Sequence, residues 1–327
     1  MFSGNTPYWG KNFFEFFIVF FTRIFSFAKN EISFSDLAID EIQVLVLSGI
    51  AISCSLVGCF LVLKKQTMLA NALSHTILLG IVLAYIVVSF IFHKSFFDHS
   101  LSIPIMFLAS LFSAFLTVFL NKIFTKYLRL KEDASIGLVF SFIFALSIVL
   151  ASIFTKNVHI GIEVIMGNAE ILYTKDLILV VFILILNLFI VLLFFKEFHV
   201  TAFDSSLASS LGISPSIFQN LLMFQTSATI IGAFRVVGVL LVISFIVGPV
   251  LIARLFTHNL KTLLFLSAII GCGASIAGVA LSRHLLSVYQ MPFSTTGTVV
   301  VLLSIIFIFS VFFSKKKRVC FLLKKAN

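Results

Sequence analysis

Long apolar runs alternate with short clusters of charge along this chain, so that stretches of about twenty hydrophobic residues are divided by a few lysines, arginines or carboxylates. At a rise of about 1.5 Å per residue, each run matches a hydrocarbon core roughly 30 Å thick and reads as a membrane-crossing helix. Eight or nine such segments can be drawn, over 43–63, 68–92, 102–121, 133–154, 176–195, 216–234, 236–255, 263–282 and 296–313. The sixth and seventh are divided only by the short stretch from Gly232 to Gly238, which fits a tight turn or a broken helix. The pattern predicts an all-α, polytopic transmembrane helical bundle. It places the membrane domain at 43–313, an N-terminal extension at 1–42 and a basic cytoplasmic tail at 314–327.

Within the extension, FFEFFIVFFTRIFSFA at 13–28 is too greasy for a free tail, yet short and interrupted by charge. It reads first as an interfacial helix lying along membrane lipid, with an additional span as the alternative. Later segments carry packing signals. Gly248-Pro249 weakens its helix, because proline lacks an N–H and crowds the preceding turn. Gly271, Ser275 and Val279 lie on one i,i+4 line, where small residues let helices approach closely.

Composition agrees with the pattern. Apolar residues make up 60% of the chain and charged ones 11%, against about 25% charged in soluble proteins. The net charge of +10 does not indicate nucleic acid, because the basic residues fall on one side of the spans. If Lys64-Lys65 faces the cytoplasm, fifteen lysines and arginines lie on that side and five on the other. The C-terminus is then cytoplasmic, and nine spans start the first one outside. Cys54, Cys59, Cys272 and Cys320 show no paired spacing and read as packing residues rather than thiolate ligands.

After the fifth span, FHVTAFDSSLASSLGISPSIFQN has clear helix punctuation. Asp204 can cap the N–H groups of the next turn, Ser205 to Leu211 make two short turns, and Gly212 takes the left-handed end. Ser214-Pro215 then restarts a helix with proline in its first turn. The result is a short cytoplasmic helix between two spans. It reads either as a knob built to be pushed or as an ordinary capped loop.

The polar residues inside the apolar runs are few. Asn71, Ser74 and His75 lie near the start of the second segment, and Asn71 and His75, four apart, share one helix face. Imidazole suits borderline divalent metals, and an amide oxygen can join it or orient it. One histidine and one amide make a weak site, which suits a conduit. Chemistry leaves His75 three readings: a transport ligand, a bond between helices, or a shallow interfacial residue. Glu163 and Glu170 flank EVIMGNAE below His159, which reads as a hydrated outer loop. No nucleotide-binding glycine loop, HExxH helix or nucleophile motif is present, so the chain reads as a non-enzyme; any ATP that drives it is bound by another chain.

The order of these features resembles the membrane permease of the metal-uptake ABC transporters that handle zinc, manganese and iron. The resemblance rests on GCFLVLKKQTMLANALSHTILLGIVLAY at 58–85, EDASIGLVFSFIFAL at 132–146, FDSSLASSLGIS at 203–214 and FRVVGVLLVISFIVGPVLIARLFT at 234–257. It implies an ABC importer permease fold in a bacterial inner (plasma) membrane and no cofactor bound by this chain, the divalent metal being cargo. It implies three protein partners: a cytoplasmic ATP-binding subunit, an extracytoplasmic metal-binding protein, and a second permease copy or related permease. Asn71 and His75 would border the metal pathway, and Asp204, Ser205, Leu207, Leu211 and Gly212 would form the coupling helix. Family members commonly carry aspartate at the position of Asn71 and proline at that of Leu79, so this chain departs at both. The competing class is an ion-coupled secondary metal transporter, which would place carboxylates at membrane depth. The acidic residues here sit near segment ends instead.

Overall fold

A computed structural model describes residues 7–8, 10–29, 36–92, 103–154, 172 and 174–326. Its described residues form twelve helices: α1 (Phe13–Ala28), α2 (Ile39–Leu63), α3 (Thr67–Phe92), α4 (Ile103–Tyr127), α5 (Glu132–Phe154), α6 (Thr174–Leu193), α7 (Phe195–Phe203), α8 (Ser205–Ser210), α9 (Pro215–Val237), α10 (Val239–Phe256), α11 (Leu260–Tyr289) and α12 (Thr295–Ala326). Nine of these, α2 to α6 and α9 to α12, are long and apolar enough to cross a membrane. The all-α multi-pass bundle expected from hydropathy is therefore found. The outer stretch holding His159, Glu163 and Glu170 lies outside the described residues.

Several boundaries shift for identifiable reasons. The first span begins at Ile39 rather than 43, because Asp40 and Glu41 are buried within the first turn of α2 instead of preceding it. The eighth runs on to Tyr289, carrying Ser282, Arg283 and His284 past the end of the apolar run. Helices α9 and α10 are divided by Gly238 alone, whose φ of 82° is a left-handed value that glycine adopts without a Cβ clash. Helix α10 continues through Pro249.

The chain divides into two compact units. The first comprises Met1–Cys59, Asn168–Ile185 and Ser244–Asn327. Its close approaches use small residues: a Cβ on Gly271 of α11 would stand 3.1 Å from the Ala51 side chain of α2, and one on Gly278 would strike Val299 of α12. The predicted stripe of small residues is thus a packed seam, with Ser275 and Val279 buried in it.

The second unit comprises Phe60–Gly167 and Leu186–Ile243. Leu79, Val139 and Ile143 form its buried centre, flanked by Leu83, Leu116, Leu120, Phe124 and Leu150 from α3, α4 and α5. Helix α9 packs along both α3 and α4. At Gly80 the backbones of α3 and α4 nearly touch, since a Cβ there would meet the Ala109 carbonyl oxygen at 2.6 Å and the Ser110 Cα at 2.5 Å. Gly80→Val should destabilise this unit by about 1–3 kcal/mol, because only a shift of backbone relieves the clash. Thermal unfolding in detergent checks this against Gly137→Ala, where a Cβ meets nothing within 4 Å and no loss is expected.

Candidate functional site

The polar turn of α3 and the knob at α8 both belong to the second unit. On α3, Ser74 is buried and donates its hydroxyl to the Ala70 carbonyl at 2.9 Å, which satisfies it within its own helix. Thr76 does the same with the Leu73 carbonyl at 3.1 Å. Asn71 is exposed and His75 half-buried, one turn apart on the same face. The His75 ring lies against two phenylalanines of α5, with centroids 5.4 Å from Phe140 and 5.5 Å from Phe144. These two rings stack on each other at 5.7 Å, making an apolar wall that limits how the imidazole can turn.

Among the described residues, neither Asn71 nor His75 makes a hydrogen bond, so packing rather than a polar partner holds the imidazole. A bond from His75 to a neighbouring helix is therefore not found. No group of three or more His, Cys, Asp or Glu side chains able to hold a metal occurs among the described residues. The face offers one amide oxygen and one imidazole nitrogen, an incomplete donor set for holding a metal.

The local geometry of the knob follows its sequence grammar closely. Asp204 is extended at φ −148°, ψ 108°, and its Oδ1 accepts the N–H groups of Ser206 at 2.9 Å and Leu207 at 3.0 Å. The Ser206 hydroxyl donates to the same oxygen at 2.6 Å. These bonds, led by that hydroxyl, hold the Asp204 carboxyl below its ordinary pKa. Helix α8 ends where Gly212, at φ 78°, turns the chain, and the Ile213 N–H reaches back to the Ala208 carbonyl at 2.9 Å. Ser214 and Pro215 then open α9.

Helix α8 has one buried residue, Ala208, while Leu207 and Leu211 are 51% and 61% exposed. Both leucines are thus apolar side chains left uncovered on a capped turn. What fixes the knob is Phe198 on α7. It is fully buried, with its ring 5.1 Å from Phe60 and 5.8 Å from Phe218. Lys122 at the end of α4 adds a polar tie to α9, donating to Asn220 Oδ1 at 2.9 Å and to the Ser216 hydroxyl at 3.3 Å.

Two polar groups of the spans escaped the sequence reading. Asn187 on α6 donates to the Thr229 hydroxyl at 2.7 Å, and Gln225 donates to the Asn187 backbone carbonyl at 3.2 Å. Both amides are 1% exposed and join α6 to α9 within the membrane-crossing segments. In the first unit, Asp40 pairs with Arg283 of α11, and Glu41 pairs with Arg23 of α1. A carboxylate or amide inside an apolar run was the available signal, but the partners lie 18 to 243 residues away and only the fold brings them together.

Nine helices long and apolar enough to cross a membrane, with a short capped helix between two of them, make this a multi-pass membrane protein. Residues 40–314 match the ABC 3 transport family, to which the chain belongs. It is thus a permease subunit of the ABC-type metal importers, set in the inner membrane. It is 40% identical over 308 residues to a "Probable metal transport system membrane protein" of Chlamydia muridarum (strain MoPn / Nigg), covering 94% of each chain. It is 34% identical over 242 residues to the manganese transport system membrane protein MntD of Bacillus subtilis (strain 168), covering 70% of this chain and 78% of that one. Its fold matches a chain of PsaBC from Streptococcus pneumoniae in complex with Fab at a TM-score of 0.71 and 24% identity, covering 90% of this chain and 97% of that one.

Phe198→Ala removes the ring that seats α7, at a cost of about 3 kcal/mol. Because the loss is local, hydrogen exchange in 195–214 should accelerate while exchange in α5 stays unchanged. Mass-spectrometric exchange on the purified protein reads both segments.

Proposed function

We propose that this chain is the membrane path of an ATP-driven importer for a divalent metal (manganese, zinc or iron), that α8 is the element on which a separate ATP-binding subunit acts, and that Asn71 and His75 border the path. The observation that carries the reading is the knob itself: a helix capped at both ends, seated by Phe198, presenting Leu207 and Leu211 outward. Family membership supports the partners, which are a cytoplasmic ATP-binding subunit, an extracytoplasmic protein that delivers the metal, and a second permease copy or related permease.

The geometry supports a mechanical route within the second unit. A flexible loop would absorb a push by rearranging; α8 has few soft joints, since Asp204 closes one end and the Gly212 turn leads directly into α9. Helix α9 packs against α3, which carries Asn71 and His75, and against α4. A displacement of α8 is thus carried by packed helices to the polar turn of α3, with no mobile linker between them. At the far end of that route, neutral ligands release a cation readily when their spacing changes. An acidic residue in place of Asn71 would hold the ion more firmly, so the amide shifts this chain toward weaker binding.

Leu207→Asp places a charge on the docking surface and keeps the backbone N–H that Asp204 caps. It should abolish co-purification with the co-expressed ATP-binding subunit while leaving the permease folded by size exclusion. Retention of a normal complex would count against α8 as the docking element.

His75→Ala should lower metal uptake by the reconstituted complex about tenfold, with the assembly intact. Uptake of radiolabelled manganese, zinc and iron measured side by side identifies the cargo, and undiminished uptake of all three removes His75 from the path.

A further inference from the structure

Helix α1 precedes the family match at residues 40–314, and transport does not account for it. Its sixteen residues rise about 24 Å, short of the roughly 30 Å hydrocarbon core. At about 3.6 residues per turn the helix divides into distinct faces. Phe16 and Phe20 are buried on one side, where α1 packs against α11. Glu15, Thr22 and Ser26 form a polar strip. Phe14, Ile18, Phe21 and Phe25 form a third face, 60 to 78% exposed.

The position of that face is set by a buried carboxylate. Glu41 is 1% exposed and accepts the Tyr8 hydroxyl at 2.7 Å, the Arg23 Nε–H, and the Ala38 N–H at 2.9 Å. Burial and the adjoining Glu41 charge push the Tyr8 phenol well above its usual pKa, so it stays a donor. Glu41 lies in the first turn of α2, where the span begins, so Arg23 holds α1 at the level of the bilayer boundary. At the last turn Lys29 reaches over the Phe25 ring at 4.7 Å, where a cation on an apolar stem suits the phosphate layer.

We infer that α1 is an interfacial anchor: its Phe14, Ile18, Phe21 and Phe25 face inserts among the acyl chains and headgroups of the leaflet at the start of α2, while Tyr8 and Arg23 pin it to Glu41. The occupant of the exposed face is phospholipid. The polar strip lies about a quarter turn from that face, the arrangement that lets a helix lie flat with water on one flank and acyl chains on the other. Anchoring at Glu41 ties the end of α2 to the plane of the membrane surface, and Asp40 ties the same turn to Arg283 of α11.

Single-tryptophan fluorescence of the full chain in phosphatidylcholine vesicles tests this, in a Trp9→Phe background that removes the one native tryptophan. Phe21→Trp and Ile18→Trp should each lose about half of their emission to lipids brominated on the upper acyl carbons and little to aqueous iodide. Phe20→Trp should respond weakly to both. Quenching of positions 18 and 21 by iodide alone, or by neither agent, would overturn the lipid assignment, the second result meaning that protein covers the face. Glu41→Ala should raise iodide quenching at position 20, and an unchanged response there would overturn the pinning. These readouts need no transport, so they stand or fall apart from the metal-importer reading.

Discussion

Every feature of this chain is subordinate to the absence of water in the hydrocarbon layer. A backbone N–H or C=O left open there costs several kcal/mol, by order of magnitude, so the spans must be helices that satisfy themselves. The same constraint governs side chains. Ser74, Thr117, Thr226, Ser227, Thr229 and Ser275 each donate to a carbonyl four residues back, at 2.6 to 2.9 Å. Hydroxyls handled in this way are nearly neutral passengers, which is why the spans tolerate so many of them. Charged groups cannot be handled locally, and Asp40 and Glu41 persist only because Arg283 and Arg23 reach them from other helices.

What the sequence reveals follows from the same division. Hydropathy marked eight or nine spans, and the structure has nine, because lipid exposure demands a long apolar run and that demand is visible one segment at a time. The knob was readable for a related reason: Asp204, Gly212 and Pro215 act on backbone within a few residues of themselves. Long-range pairing was not readable. Nothing near Phe198 says that its ring will lie between Phe60 and Phe218, and nothing near Asn187 points to Thr229. The boundary errors at Ile39 and Tyr289 have the same origin, since Asp40 and Arg283 look like segment ends until they are seen to neutralise each other.

The exposed apolar faces of α8 and α1, two helices that do not span, differ in how they are held. At α8 the helix is too short to persist by propagation, so its order depends on capping and on the α7 seat beneath it. At α1 sixteen residues suffice for a helix, and Glu41 supplies position rather than order. A mechanical element needs stiffness, whereas an anchor needs only a fixed depth. These are the demands that the roles proposed for α8 and α1 make.

Asn71 and His75 differ from the hydroxyls beside them on α3. Ser74 and Thr76 on the same two turns close their bonds within α3, while the amide and the imidazole have no hydrogen-bond partner among the described residues. Asn71 is exposed, so water or a passing ion can serve it, whereas His75 is half-buried against Phe140 and Phe144. The imidazole leans on the wall made by Phe140 and Phe144, which closes that side of the ring to an approaching ligand. In the proposed path, that wall limits the directions from which an ion reaches the imidazole, and a donor set without a carboxylate holds the ion weakly.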